Sequence, residues 1–244
     1  MRTLALIGAG NIGGNLARLA VAAGLDVVVS NSRSPETLAD LVAELGENAS
    51  AATADEAAAA GEWVVVSVPL HAYSQIPVEP LVGKTVIETT NYNAARDGHI
   101  RELDEMTLTS SELVQRHLQG ANVVRAFNQI YFGHLYRLAR PAGSAERGAL
   151  PVAADDADAK AHATELLDLL GWDAVDAGTL AESWRFDLGT PVATLPYMSQ
   201  PWDWSRPHAD LVSALSEDPG RTVRTAEIGE LLQQASRDDN LRRP

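Results

Sequence analysis

The sequence predicts an α/β fold, a doubly wound and mostly parallel sheet followed by a C-terminal arm and helix. Short apolar runs alternate along the chain with stretches whose apolar residues repeat at helical spacing. Most of the short runs are continuously apolar, which is typical of strands that are covered on both faces. Strand–helix alternation of this kind favours a parallel sheet with right-handed crossovers.

Eight segments have the length and composition of buried strands. They are residues 3–7, 27–30, 49–51, 63–68, 85–88, 122–126, 149–153 and 173–176. Between them lie helix signals, beginning with a helix over about residues 11–24. Ser34 and Pro35 are typical of an N-cap and a first helical position, and Thr53 with Glu56 forms a capping-box pattern. A later helical stripe consists of Ala163, Leu166, Leu167 and Leu170.

The regular alternation weakens after about residue 176, so we divide the chain into an α/β domain over 1–190 and an arm with a helix over 191–244. Residues 191–207 hold four prolines together with Trp202 and Trp204, and we expect this arm to lie over the surface. The two tryptophans make the arm a candidate dimer interface. The last amphipathic stripe is Ile228, Leu231, Leu232 and Ala235.

Composition and charge exclude several classes of function. The chain has no cysteine, so disulfides, thiol nucleophiles and cysteine-ligated metals are excluded. A formal net charge of −14 disfavours nucleic acids and anionic lipid surfaces as partners. No segment reaches the ~20 apolar residues of a membrane span, and the first strand leaves no room for a leader, so we expect a cytoplasmic protein.

A glycine-rich loop between the first strand and the first helix carries the main functional signal. Gly8, Gly10 and Gly13 fit the G-x-G-x-x-G pattern in the strand–loop–helix context that binds dinucleotides. The first glycine permits the tight turn, the second lets a pyrophosphate approach the backbone, and the third allows close packing of helix on sheet. The free N–H groups at the helix start then face the phosphate charge. The alternative is a glycine turn without a ligand.

The end of the second strand decides between the two nicotinamide dinucleotides. NAD-specific sites usually carry an acidic residue there, whereas this chain has Asn31, Ser32 and Arg33. A guanidinium presents a planar fork of donors that suits a 2′-phosphate, which an acidic residue would repel. The sequence therefore predicts an NADP-binding domain within residues 1–190. The alternative is a solvated arginine in a polar loop.

Two further strand exits are candidates for the cofactor cleft, because ligands of open α/β sheets lie beyond the carboxyl ends of the strands. Val68, Pro69 and His71 follow the fourth strand and are candidates to pack along the cofactor. Asn91 follows the fifth strand and is a candidate for the nicotinamide carboxamide. The alternatives are a plain strand exit for the first segment and an Asx turn for Asn91.

The sixth strand exit supplies the candidate wall for a small-molecule substrate. Asn128, Tyr131 and His134 are polar or amphipathic residues placed after that strand, although a lone histidine is more often structural. No nucleophile–base set, metal-binding histidine spacing or tyrosine–lysine pair stands out, so the catalytic residue is unassigned and no metal is expected. A redox cofactor itself supplies the hydride, so the protein need only bring two reactants together.

Several segments together resemble the family of NADP oxidoreductases that depend on coenzyme F-420, a deazaflavin. They are residues 8–13, 30–37, 64–69, 122–128, 152–160, 169–172 and 176–178. The resemblance implies hydride exchange between NADP(H) and the deazaflavin, in a homodimer. It also implies that Ala9, Asn11 and Ile12 join the glycines around the pyrophosphate and that Ser32 and Arg33 hold the 2′-phosphate. On the same analogy, Val68, Pro69 and His71 border the cofactor, and Asn91 and Asn128 lie near the nicotinamide and the second ring.

Two other functions fit the same sequence features. One is an NADPH-dependent reductase of a small carbonyl, imine or quinone, with Tyr131 or His134 near the proton-transfer step. The other is a dinucleotide-sensing protein without turnover. Activity toward different acceptors separates the first from the deazaflavin reaction, and tight NADPH binding without any turnover is the sign of the second.

Overall fold

A single eight-stranded sheet organises the protein. The structure, a computed structural model, describes residues 2–203 and 209–237. The strands are β1 (Thr3–Ile7), β2 (Asp26–Ser30), β3 (Ala49–Ala51), β4 (Trp63–Val66), β5 (Thr85–Glu88), β6 (Asn122–Arg125), β7 (Ala149–Ala154) and β8 (Asp173–Asp176). Their order in the sheet is β3-β2-β1-β4-β5-β6-β7-β8, and all neighbours are parallel except β6 and β7. The predicted doubly wound, mostly parallel sheet is confirmed.

The six strands from β3 to β6 have the Rossmann order: β2 and β3 are added on one side of β1, and β4, β5 and β6 are added on its other side. Ile7, the last residue of β1, pairs with Ser30 of β2 on one side and Val66 of β4 on the other. The three strands therefore end level with one another. The loops that follow them emerge side by side and form the walls of a crevice at this edge of the sheet.

All eight predicted strands are present, and four have the predicted bounds. The largest difference is at β4, which ends at Val66, two residues before the predicted end. There the chain turns away because Ser67 lies against the backbone of Gly8: a Cβ on Gly8 would approach the Ser67 carbonyl oxygen to 2.2 Å. Apolarity alone does not reveal this turn, since Ser67 and Val68 continue the strand-like composition.

Helices cover both faces of the sheet, and each face has its own apolar core. They are α1 (Asn11–Ala22), α2 (Ala39–Leu45), α3 (Ala54–Ala60), α4 (Ala94–Asp97), α5 (Arg101–Asp104), α6 (Ser110–His117), α7 (Phe132–Arg137), α8 (Ala157–Leu169), α9 (Ala209–Glu217) and α10 (Thr225–Gln234). The capping box of Thr53 and Glu56 is present at the start of α3. Ser34 occupies the N-cap position, but a 3-10 turn over Pro35–Leu38 precedes α2.

The C-terminal arm is more deeply buried than a surface arm would be. The Tyr197 side chain is fully buried, and its hydroxyl donates a hydrogen bond to the carbonyl of Ala149 in β7 at 3.1 Å. Trp202 packs with Met198 and Leu215, which lies on α9. Trp204 lies outside the described residues. The arm is therefore fixed by its apolar side chains to β7 and to α9.

Two helices, α9 and α10, follow the arm. The sequence predicted only the second of them. Ile228 and Leu232 of α10 are buried in the larger core, as the predicted stripe requires. The first, α9, places Leu211 and Leu215 at a spacing of four residues. That short signal was visible in the sequence and is too brief to stand out beside the proline-rich arm. Within residues 2–203 and 209–237, no helix combines the length and apolarity that a membrane crossing requires.

Replacing Tyr197 by alanine tests whether the arm belongs to the core. We expect a loss of about 3–5 kcal/mol in the free energy of unfolding, because the change leaves a cavity where a buried aromatic ring was. Urea denaturation of the purified variant measures it. Tyr136→Ala is the matched control, since that side chain is exposed, and it should change stability by no more than about 0.5 kcal/mol. Equal, small effects of both substitutions would contradict a packed arm.

Candidate functional site

The glycine loop brings β1 and α1 into direct backbone contact. Gly8 has a φ of +105°, which strongly favours glycine, and its N–H donates to the Ser30 carbonyl at 3.0 Å. A Cβ on Gly13 would lie 2.0 Å from the Gly8 carbonyl oxygen, so no side chain fits there. These two glycines are thus required by the fold itself.

Gly10 differs from the other two glycines because its surroundings are open. Apart from Gly10 itself and its chain neighbours, no atom of the described residues lies within 4 Å of the point where a Gly10 Cβ would be. Gly10 is also the N-cap of α1, and it has no side chain with which to cap the helix. The first N–H groups of a helix have no intrahelical partner, so those of α1 start beside open space. This is a cradle for an anion that approaches the backbone closely.

The loop forms one end of a cleft of about 460 Å³ at the carboxyl edge of the sheet. Nine of the predicted site residues line it: Gly8, Ala9, Gly10, Asn31, Ser32, Arg33, Val68, Pro69 and His71. Asn11, Ile12 and Gly13 form the first turn of α1 directly behind the loop. The structure therefore brings the exits of β1, β2 and β4 together, as the sequence predicted. It adds lining residues that no motif marked, including Leu38, Gln75 and Ile76.

The loop after β2 is held in shape by its own side chains. The Asn31 side chain accepts a hydrogen bond from the Arg33 N–H at 2.8 Å and donates one to the Thr37 hydroxyl at 2.9 Å. A hydrogen bond from Ser34 lowers the pKa of the Glu36 carboxyl. Arg33 itself is exposed, and among the described residues its guanidinium has no ion-pair partner. The cleft thus presents a cation on a preformed turn.

On the opposite wall, His71 is held by a buried carboxylate. His71 Nδ1 lies 3.1 Å from Oδ1 of Asp97, whose side chain is fully buried while the imidazole is about half exposed (49%). Arg96 pairs with the same carboxylate at 2.8 Å and also donates to the Asn91 carbonyl at 2.5 Å. Asp97 therefore links the wall formed by His71 to the loop after β5.

The charge of Asp97 is fixed by these partners. Burial raises the pKa of the Asp97 carboxyl, but hydrogen bonds from Arg96, from the Asn93 N–H and from His71 outweigh it and lower the pKa to about 2. An ionised Asp97 accepts a hydrogen bond from the Nδ1–H of His71, which leaves Nε2 as the ring nitrogen that faces away from Asp97. Sequence reasoning missed Asp97 and Arg96, because the partners His71 and Asp97 are 26 residues apart and share no motif.

Asn91 and Asn128 lie together at the ends of β5 and β6, outside the lining of the cleft described above. The Asn91 amide donates to the Asn128 carbonyl at 2.7 Å, and the Asn128 amide donates to the carbonyl of Phe186 at 2.9 Å and to Asn91 Oδ1 at 3.3 Å. Among the described residues, Asn128 Oδ1 is buried with no hydrogen-bond partner. The pair therefore presents one unused acceptor beside a network that is otherwise closed.

Tyr131 and His134 are placed among the C-terminal elements. The His134 ring is fully buried, and its Nε2 lies 3.2 Å from the carbonyl oxygen of Asp218. Burial lowers the pKa of the His134 imidazole, although Asp218 opposes the shift. Tyr131 packs on the cluster of Met198, Trp202 and Leu215. Both side chains thus join α7 to the segment around residue 218. Among the described residues, no group of three or more potential ligands could hold a metal ion.

The chain is similar to known proteins over the part that contains the cleft. Residues 3–92, which contain β1 to β5 and the glycine loop, match the family model described as NADP oxidoreductase, coenzyme F420-dependent. A hypothetical protein from Sinorhizobium meliloti is 30% identical and superposes on 83% of this chain and 97% of its own, with a TM-score of 0.70. No curated protein matches this chain.

Two more distant structures share the fold. A candidate F420-dependent NADP reductase from Arthrobacter sp. FB24 is 22% identical, covering 75% of this chain and 87% of that one with a TM-score of 0.61. An imine reductase from Pseudomonas sp. is 20% identical, covering 74% of this chain and 57% of that one with a TM-score of 0.52. Identities this low show the fold alone.

Replacing Asp97 by asparagine should remove a pH-dependent part of the stability. Because the pKa of Asp97 is lowered from 3.8 to about 2 on folding, its contribution is present above pH 4 and is lost as the pH falls toward 2. We expect the difference in unfolding free energy between wild type and D97N to shrink by about 2 kcal/mol between pH 5 and pH 2. Urea unfolding at several pH values measures it. A difference that stays constant with pH would contradict the assigned ion pair.

Proposed function

We propose that this protein, an NADP-dependent oxidoreductase, transfers hydride between NADP(H) and a deazaflavin coenzyme. The premise is that the chain belongs to the same protein family as the Sinorhizobium meliloti protein and that its residues 3–92 match the family of coenzyme F420-dependent NADP oxidoreductases. One observation carries the NADP half of the proposal. The open cradle at Gly10 and the exposed cation of Arg33 line the same cleft.

The residues present fit NADP. The open space at Gly10 and the N–H groups at the start of α1 suit the pyrophosphate, with Ala9, Asn11 and Ile12 completing the turn. Ser32 and Arg33 would hold the 2′-phosphate, which a guanidinium binds with a fork of charge-assisted hydrogen bonds. Asn31 supports them by shaping the loop through the Arg33 N–H.

The other wall of the cleft would carry the rest of the cofactor. Val68 and Pro69 offer an apolar edge, and His71 offers an outward Nε2, because Asp97 occupies Nδ1. Asn91 and Asn128 would meet the nicotinamide end. An unpartnered buried acceptor is costly, so Asn128 Oδ1 suits the N–H of a carboxamide.

Bound NADPH supplies the hydride, and the protein's task is to hold the donor ring against the acceptor ring. The interlocked amides of Asn91 and Asn128 are suited to that task, since each fixes the orientation of the other. We assign no side chain as proton donor. Tyr131 and His134, the sequence-based candidates, are held in the C-terminal cluster and at Asp218, which favours neither for proton transfer to a small carbonyl, imine or quinone.

We place the enzyme in the cytoplasm as a homodimer with a small-molecule substrate, and we keep residues 191–244 as its candidate dimer-forming segment. A chain without cysteine suits a reducing compartment. Trp202 is already covered by Met198 and Leu215 of its own chain, so a dimer interface here would use other side chains.

An acceptor assay tests the reaction. The purified protein is mixed with NADPH and the oxidised deazaflavin, and loss of both absorbances is followed. We expect stoichiometric oxidation of NADPH and reduction of the deazaflavin, with little turnover of a panel of carbonyls, imines and quinones. Turnover of a panel member in place of the deazaflavin would contradict the proposed acceptor. Tight NADPH binding without any turnover would instead indicate a sensor.

Replacing Arg33 by alanine should weaken NADPH binding far more than NADH binding. A lost charge-assisted hydrogen bond is worth about 1.5–3 kcal/mol, or ~10–150-fold in affinity, and only NADPH has the phosphate that would make it. Titration calorimetry with both dinucleotides measures the effect. Arg101→Ala is the control, since that guanidinium is 84% exposed and pairs with Glu105 outside the cleft. Equal losses for NADPH and NADH in R33A would refute the assigned role.

A further inference from the structure

Three ionisable side chains are buried together at the carboxyl ends of β5 and β6. Glu88 and Arg125 are paired in register at the last positions of these strands, and both are fully buried. Arg125 Nη1 donates to Glu88 Oε1 at 2.9 Å, and Nη2 donates to the carboxylate of Asp187. Asp187 directly follows the 3-10 helix Leu180–Phe186 and is itself buried. We call these three residues the charge cluster.

Hydroxyl groups satisfy most of what remains in the charge cluster. Arg125 Nη1 also lies 2.7 Å from the hydroxyl of Ser110 and 3.1 Å from that of Ser111, both in the first turn of α6, so its two hydrogens are shared among three acceptors. Glu88 Oε1 accepts from the Ser111 hydroxyl at 2.5 Å, and Oε2 accepts from the N–H and the hydroxyl of Thr90 at 2.7 and 2.5 Å. Among the described residues, Arg125 Nε is the one polar atom of these three side chains that is buried without a hydrogen-bond partner. Protein groups occupy the guanidinium's other two nitrogens and both Glu88 oxygens, which points to an internal role rather than to a ligand.

The position of the charge cluster indicates what that role is. Glu88 lies three residues before Asn91, and Arg125 lies three residues before Asn128. Asp187 adjoins Phe186, whose carbonyl accepts the Asn128 amide at 2.9 Å. Each of the three segments that meet at the Asn91–Asn128 pair therefore contains one residue of the charge cluster within three positions of its contact.

Backbone strain lies on one of these segments. Phe127, fully buried between Arg125 and Asn128, has a φ of +64°, a conformation that bulky residues rarely adopt. Such strain persists only where the surrounding structure over-determines it, and it is found mostly at functional sites. The anchored charge of Arg125 on one side and the locked amide of Asn128 on the other supply that constraint.

Stability does not explain the charge cluster, because burying ions costs desolvation, and apolar residues of the same size often replace such clusters without loss. A role in positioning other groups does explain the charge cluster, since groups that hold reactants need support from a second layer of fixed side chains. We infer that the charge cluster is a positioning device, which fixes Asn91 and Asn128 relative to one another and so orients the nicotinamide ring for hydride transfer. This inference rests on the proposed function.

Asp187→Asn is the main test, because it removes one charge of the cluster with little change of shape and leaves both strands intact. We expect the Kd for NADPH from calorimetry to stay within 3-fold of wild type, since the adenosine and phosphate contacts are untouched. Turnover should fall at least 10-fold with an unchanged KM for NADPH. The difference in fluorescence emission between bound and free NADPH should shrink at least 2-fold, because the ring is held less firmly.

Three further variants and one control complete the test. Glu88→Gln should repeat the D187N pattern, and Arg125→Lys, which keeps the charge but not the fork, should lose less turnover than Arg125→Met. Asp173→Asn is the matched control, because it removes one of the two carboxylate partners of Arg147 near the far edge of the sheet. It should leave Kd, turnover and emission unchanged.

Wild-type turnover and emission in D187N and E88Q would overturn the inference. So would a loss of turnover that only follows the loss of folded protein in every variant, as judged by circular dichroism. Calorimetry and emission need NADPH alone, so they decide the inference even where the deazaflavin proves not to be the acceptor. Wild-type protein that failed to bind NADPH would overturn both the inference and the proposed function.

Discussion

Contact between the backbones of β1 and α1 is the constraint on which the rest of the site depends. Gly13 rests on the Gly8 carbonyl with no space for a side chain, and Gly8 rests on Ser67 in the same way. These two contacts set where α1 begins and where the chain after β4 turns. As a result, the start of α1, the loop after β2 and the exit of β4 face one cleft, and of the three loop glycines Gly10 is the one with open space where a Cβ would lie.

Charges close to the cleft, rather than the net charge of the chain, decide which ligand the cleft favours. The chain has a formal net charge of −14, which would repel an anionic ligand at long range. At short range the cleft offers the positive end of α1 and the guanidinium of Arg33. Screening at physiological ionic strength reduces the influence of distant charges, so the near groups decide which ligand binds.

Much of the fold could be predicted from the sequence, because buried parallel strands are continuously apolar and the glycine loop has a fixed spacing. The exits of β1, β2 and β4 were brought together as expected, since the carboxyl ends of parallel strands share one edge. What escaped prediction depends on pairing between distant residues. The register that sets Glu88 beside Arg125, and the turn that brings Asp97 to His71, leave no local pattern in the chain. His134 was predicted to line the substrate wall but has a buried ring, because the position of a histidine after a strand does not indicate whether its ring will be buried.

Binding of the two nicotinamide dinucleotides to the wild-type protein tests the central claim most directly. In parallel calorimetric titrations at fixed pH and salt, a backbone cradle joined to Arg33 predicts heat of association with both and clearly tighter binding of NADPH than of NADH. No heat with either dinucleotide, or tighter binding of NADH, would contradict the account.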